Sequence, residues 1–580
     1  MSILSKSRKI IITRFIFYFA ILYISAIGLK RLQGFMPDDA FISYRFAFNL
    51  AKGYGWVYNI GSPPCNSATS PLYVLLLALS YLVNPNMIYN AKLLFVLSLA
   101  GCAVFTFEAF SALKVKTAGL LASAYILSAP WVLSTCGMES ALFLLFLAAS
   151  CYFYIKGSEW TTGIALGLLV LTRGEGVLLA VILCLAWIFI KRRIPFRMFL
   201  GGLFLVVPWV VFSLTYFGHL LPNSLYAKMA QGKSGLWGSG FPFFKGFYQI
   251  PVLFSFLAWA IIAGSLTLLG LSAILIRSQY RKIIVPLILF SISLILVYGL
   301  VLNVPVYHWY YVPIVYVCLN LAAIGTESLL KTGWLRKETL SLAFGGIGAL
   351  GILVSGIIQI PKGFGPTNYI EVSSWLRQNT STSAKVAATE IGIIGWFSQR
   401  PIIDYLGLLS VESALSLKQK DLTAWIYRNT PDYYVVHVPP WFFEGPVVSL
   451  FWFRVAFQKV YETHGVAVFR REMTISEAQI SIVKSIIHQA KDQGFDITEN
   501  KYNDLLISVL RIYFMRADLQ KAFGGIDRVN ISALLAWAAG PGINIDSSKD
   551  TLSKYAVQLT SLSKEIHRLP DIYVNLETGN

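Results

Sequence analysis

Residues 71–83 read PLYVLLLALSYLV, and the assignment of this run decides the architecture of the chain. A bilayer crossing needs about 20 apolar residues, and this run is shorter. Counted as a crossing, it would carry Lys114 and Lys116 to the outer side, against the rule that basic loops stay in the cytosol. Laid on the outer leaflet as an interfacial helix, it leaves every later basic turn cytosolic.

The rest of the chain supplies the crossings. Hydrophobic residues are 56%, charged residues only 13%, and mean hydropathy is +0.62, which excludes an ordinary soluble protein. Candidate crossings are residues 11–29, 88–112, 117–134, 139–156, 160–172, 175–190, 197–216, 251–276, 283–302, 310–326 and 339–359. Lys6, Arg8 and Lys9 put the N-terminus in the cytosol, and Lys114/Lys116, Lys156, Lys191–Arg193, Arg277/Arg281/Lys282 and Arg336/Lys337 mark later cytosolic turns. Eleven crossings result, with everything after the last one outside. The run at 11–29 is too long and lacks the small-residue cleavage pattern of a removed signal peptide, so it reads as a retained helix. The predicted location is the bacterial inner (plasma) membrane.

The net charge of +19 sits at the ends of apolar runs, which reads as topology and lipid-headgroup contact, with no nucleic-acid partner. Six cysteines lie in the first 320 residues without metal-ligand spacing, so no disulfide framework is indicated. Beyond Pro361 the apolar runs shorten. KVAATEIGIIGWF, RPIIDYLGL, DYYVVHV and GVAVFR read as strands between helical or turn segments, predicting an extracytoplasmic α/β domain over residues 361–471. Residues 472–580 read as a helical extension.

This threading delivers polar motifs to one membrane face. Asp38 and Asp39 follow the first crossing, Glu139 opens the fourth, and Arg173 and Glu175 sit in LTRGEG between the two shortest crossings. That turn is sunk in the membrane, where irregular backbone needs protein or water around it. FGHLLPNSLYAK (217–228) brings His219, Asn223, Tyr226 and Lys228; NVPVYHWYYVP (303–313) brings His308, Trp309 and Tyr310. Each has a plainer reading. Asp38 after Pro37 is a helix N-cap with Arg45 as counter-charge, Glu139 a first-turn acid, and Arg173–Glu175 a neutralising pair. His308, Trp309, Tyr310 and Lys228 fit an interfacial belt. None of these plainer readings explains why all the groups share one face.

Transfer of a sugar from a lipid phosphate needs such a set: a carboxylate base, cations for the leaving phosphate, and an apolar groove with polar and aromatic groups for the sugar. Asp38/Asp39 supply the first and Arg173, Lys228 and Arg45 the second. Neighbouring residues on a helix point about 100° apart, so only one aspartate can be the base.

DDAFISYRFAFNLAKGYGWVYN, CGMESALF, LTRGEGVLL, FGHLLPNSLYAK and VAATEIGIIGWFSQRPIIDYLGLLS together resemble the bacterial GT-C membrane glycosyltransferases, and within them the terminal arabinofuranosyltransferases of the mycobacterial cell wall. The resemblance covers residues 1–471. It departs at Gly174, where the family carries Pro, and at CNSATSPLY (65–73), where the family carries a GYTNPLW-like stretch. It implies a polyprenyl-phosphate sugar donor, a glycan, lipid or protein acceptor, Asp38 as base with Asp39 assisting, and a pocket lined by Glu139, Arg173, Glu175 and Lys228. Asn223, Tyr226, His308, Trp309 and Tyr310 complete the expected sugar and acceptor pocket. Paired acids also permit a divalent metal. The competing readings are a flippase for lipid-linked sugars and a non-catalytic cell-envelope scaffold.

Overall fold

The computed structural model describes residues 36–331 and 367–478 apart from a few single positions, with Tyr18, Ile21 and isolated residues up to Asp492. The expected crossings at 11–29 and 339–359 and the extension at 472–580 lie almost wholly outside the described residues. The chain divides into two compact units, Met1–Ser383 with Thr389–Lys420, and Ala384–Ala388 with Asp421–Asn580.

The first unit is a helical membrane bundle. Its opening helices are α1 (Asp38–Ala51), α2 (Pro71–Val83), α3 (Met87–Ala112), α4 (Lys116–Ser128) and α5 (Pro130–Leu133). Next come α6 (Ser140–Lys156), α7 (Glu159–Thr172), α8 (Gly176–Lys191), α9 (Phe196–Tyr216), α10 (Asn223–Ser234), α11 (Pro242–Leu253) and α12 (Leu257–Ile276). The unit is completed by α13 (Arg281–Leu296), α14 (Val312–Leu330), α15 (Thr367–Asn379), α16 (Ile391–Ser398) and α17 (Val411–Lys418). Among the described residues, five stretches are long and apolar enough to cross a membrane: α3, α9, most of α12, Ser278–Val301 and α14. Four apolar helices are shorter, namely α2, α6, α7 and α8.

Helix α2 has 13 residues, which at about 1.5 Å per residue falls well short of a bilayer core. It buries Tyr73, Val74 and Leu77 and leaves Leu79, Leu82 and Val83 exposed. Proline sets two boundaries: the expected crossing at 117–134 breaks at Ala129–Pro130, and Pro251 near the end of α11 separates it from α12. Without a hydrophobic drive inside lipid, helices approach through small residues. A side chain on Gly163 or Gly167 of α7 would press into the backbone of α9 at Met198 and Gly202.

The second unit holds strands β1 (Val386–Ala388), β3 (Tyr433–His437), β4 (Phe457–Thr463) and β5 (Val466–Arg471). β1 pairs parallel with β3, β3 antiparallel with β5, and β5 with β4. A further short strand, β2 (Ile402–Asp404), belongs to the first unit. One sequence expectation needs correction: KVAATEIGIIGWF is a three-residue strand followed by the helix α16. FQKVYET, not read as a strand from the sequence, is the edge strand β4, buried only at Phe457.

Candidate active site

The loops at one end of the first unit converge. Asp38 and Asp39 occupy the first turn of α1, whose N-cap is Pro37 and carries no side-chain cap. Asp38 caps another helix: its carboxylate accepts the N–H groups of Ile393 at 2.6 Å and Gly392 at 3.0 Å, in the first turn of α16. Burial pushes the Asp38 carboxyl up to about 7, against the pull of those two amide donors.

Asp39 points elsewhere. It is half-buried, makes no hydrogen bond among the described residues, and sits in the field of Lys228, Tyr307 and Glu139. Burial raises its carboxyl above the usual carboxylate range, and Lys228 opposes that rise.

Lys228 lies on α10 at 6% exposure, with its Nζ 3.6 Å from the centre of the Tyr307 ring. Tyr307 is fixed in turn: its hydroxyl donates to Gln231 Oε1 at 3.0 Å, and its ring stacks on Trp309 at 4.9 Å. Gln231 lies one turn beyond Lys228, so both touch the same tyrosine. No described carboxylate forms an ion pair with Lys228.

Arg173 is differently placed. Its Nε donates to Glu175 at 2.5 Å and its Nη1 to Glu139 at 3.3 Å, while its guanidinium lies 5.4 Å from the Tyr310 ring centre. The three charged groups close on one another, with Tyr310 packed against Tyr298 at 4.8 Å. The neutralising pair read from the sequence is thus a triplet that includes Glu139.

The remaining candidates divide. His308 Nε2 meets the Ser134 carbonyl at 3.1 Å, and the His308 carbonyl accepts from Trp131 at 2.9 Å, so this residue ties two loops together. Burial lowers its imidazole to about 4, which keeps it neutral. Asn223 opens α10 and donates its N–H to the Asn66 carbonyl at 2.7 Å, while its Oδ1 is buried without a partner. Tyr226 is exposed. Arg45 donates to the carbonyls of Tyr58, Gly395 and Arg400 at 2.7–2.8 Å, so its guanidinium is taken up by backbone oxygens.

Sequence reasoning passed over Tyr307, Gln231 and Glu390. Tyr307 adjoins the chosen His308, and Gln231 stands at helical spacing from Lys228. Glu390 lies in the quoted ATEIG stretch, shares a side-chain hydrogen bond with Asp38 and acts electrostatically on Tyr307. Among the described residues no three His, Cys, Asp or Glu side chains group as metal ligands.

A family model described as a domain of unknown function (DUF8728) matches residues 361–483. No curated protein matches the chain. In structure it is similar to ArnT from Cupriavidus metallidurans bound to undecaprenyl phosphate, with a TM-score of 0.53 and 12% identity over 80% of this chain and 99% of that one. The apo state of ArnT matches with a TM-score of 0.52 and 14% identity over 79% and 97%. An oligosaccharyltransferase from Archaeoglobus fulgidus tethered with an acceptor peptide matches at 0.49 and 12% over 79% and 74%. The narrower likeness to arabinofuranosyltransferases is not carried by these matches. What the ArnT matches establish is the architecture: this chain is a multi-pass membrane protein with the GT-C fold.

Proposed function

We propose that the chain is a glycosyltransferase that moves one sugar from a polyprenyl-phosphate donor to a glycan, lipid or protein acceptor. Its place is the outer face of a bacterial plasma membrane, with the N-terminus cytosolic and the last domain outside. The observation that carries this reading is Lys228, an almost buried cation with no carboxylate bonded to it among the described residues, in the field of Asp39, a carboxylate with no hydrogen bond among them. Burying an unpaired charge is costly, and an anionic ligand relieves it. The binding of undecaprenyl phosphate by a protein of the same fold supports a polyprenyl phosphate as that anion.

In this reading Asp39 accepts the proton of the acceptor hydroxyl as its oxygen attacks the anomeric carbon. The bond from that carbon to the phosphate oxygen breaks, and the polyprenyl phosphate departs with its charge met by Lys228. The displacement inverts the anomeric centre. A general base contributes typically 10²–10⁴-fold, and a charge placed at the leaving group acts strongly where water is excluded. Asp38, already holding two amide donors, is the poorer base of the two. The sugar is a pentose or hexose.

Charges at the opposite end of the bundle argue against transport, since Glu159 pairs with Arg193 and Glu327 with Lys331 and Tyr280. Mass spectrometry of lipids copurified with the full chain tests the proposal. A glycosylated polyprenyl phosphate is expected, lost on Lys228→Ala; Asp39→Asn should retain the lipid and lose transfer. Copurification of unglycosylated phospholipids alone, unchanged in Lys228→Ala, would refute it.

A further inference from the structure

Helices α1 and α16 are far apart in the chain and lie side by side. Asp38 binds the N-terminal amides of α16. Seven residues later Arg45 donates to the carbonyl of Gly395 at 2.7 Å and to that of Arg400, just past the C-terminus of α16, at 2.8 Å. Positions seven apart share a helix face and stand about 10.5 Å apart, against about 12 Å for an eight-residue helix. The acid therefore meets the positive end of the α16 dipole and the guanidinium its negative end.

The contact requires glycine. A Cβ on Gly392 would collide with the Asp38 carbonyl oxygen, and one on Gly395 with the Tyr58 hydroxyl and Arg45. The residues after α1 extend the join: Tyr58 Oη donates to the Ile391 carbonyl at 2.6 Å, and Asn59 pairs with both backbone groups of Ile402 at 2.8 and 2.9 Å. Trp396 fills the seam against Phe41, Tyr44 and Phe48. Phe397 adds a ring contact with Phe41 at 5.4 Å, and the hydrogen bonds named above all end on the backbone of residues 391–402, so glycine at 392 and 395 is what lets the two segments close.

The first turn of α1 needs such support. Its N-cap offers no side chain, and uncapped first turns fray. Asp39 sits in that turn.

We propose that Asp38 is a positioning residue: the clamp it forms with Arg45 around α16 fixes the first turn of α1 and so aims Asp39 at Lys228. Residues 389–404 are thereby part of the catalytic assembly. The inference goes beyond the proposed function and rests on it only for the role of Asp39.

The test uses the full chain in lipid nanodiscs, with Asp38→Ala, Asp38→Asn and Gly395→Ala. Hydrogen exchange of residues 38–51 should rise at least about tenfold in Asp38→Ala and Gly395→Ala, and less in Asp38→Asn, which keeps one acceptor and serves where the alanine variant does not fold. With the copurified donor, kcat should fall about 10–100-fold, the range expected for a misplacement near 1 Å, with KM within about twofold. The acid limb of the pH–rate profile should persist, because the base is untouched. Unchanged exchange of α1, an unchanged kcat, or loss of the acid limb in Asp38→Asn would each overturn the clamp. Failure of the proposed function reads separately, as no binding of undecaprenyl phosphate by the wild-type chain, and exchange still decides the clamp in that event.

Discussion

Arg173 and Lys228 lie at the same end of the bundle, exposed by 5% and 6%. Arg173 is bracketed by Glu139 and Glu175, whereas Lys228 lies over the face of Tyr307 and forms no ion pair among the described residues. A guanidinium offers five donors in a fixed fork and suits a closed triplet; an ammonium is a compact charge that a passing anion can meet. The difference teaches that one cation is neutralised within the fold, while on the proposed function the other meets the donor phosphate.

Arg173→Ala is the largest expected break in that contrast. It leaves two buried carboxylates without their counter-charge, a loss of about 3–5 kcal/mol, seen as a sharp drop in the melting temperature of the solubilised protein. A variant that melts normally but has lost transfer would make the two cations equivalent. Next comes Lys228→Met, which should lower transfer by about 10²–10³-fold while leaving the melting temperature unchanged or raised, since an unpaired buried charge has gone.

The pH profile sharpens the comparison further. Asp39 must be ionised to act as base, so the wild-type rate falls as pH drops through its raised pKa. Lys228 holds that pKa down, so Lys228→Met should move the residual acid limb to higher pH. Arg173 does not act on Asp39 in this way. His308, neutral down to about 4, should add no limb near neutrality. The smallest effect belongs to Tyr307→Phe, which keeps the ring over Lys228 and loses the bond to Gln231, about 0.5–1.5 kcal/mol in donor affinity by titration.

Much of this was legible in the chain. Helices α3, α9 and α14 follow from apolar runs of spanning length, and the connecting segments that carry Asp39, Arg173 and Lys228 follow from the acids and aromatics beside those runs. Helix α16 was not: IGIIGWF is short, apolar and rich in isoleucine, a pattern shared by buried strands and buried helices. Its state depends on the Asp38 cap and on two glycines that fit against α1. Nor could the chain say which neighbouring aspartate bonds to α16, because the rotational phase of α1 is set by what packs on it.

By itself the sequence determined that this protein lives in a membrane and that its ionisable groups collect in loops, because solvation follows composition along a run. Only the tertiary structure decided which charges are spent on each other and which stay open. Pairing depends on distances of a few ångströms between groups 34 positions apart at Arg173 and Glu139, and 354 apart at Asp38 and Gly392.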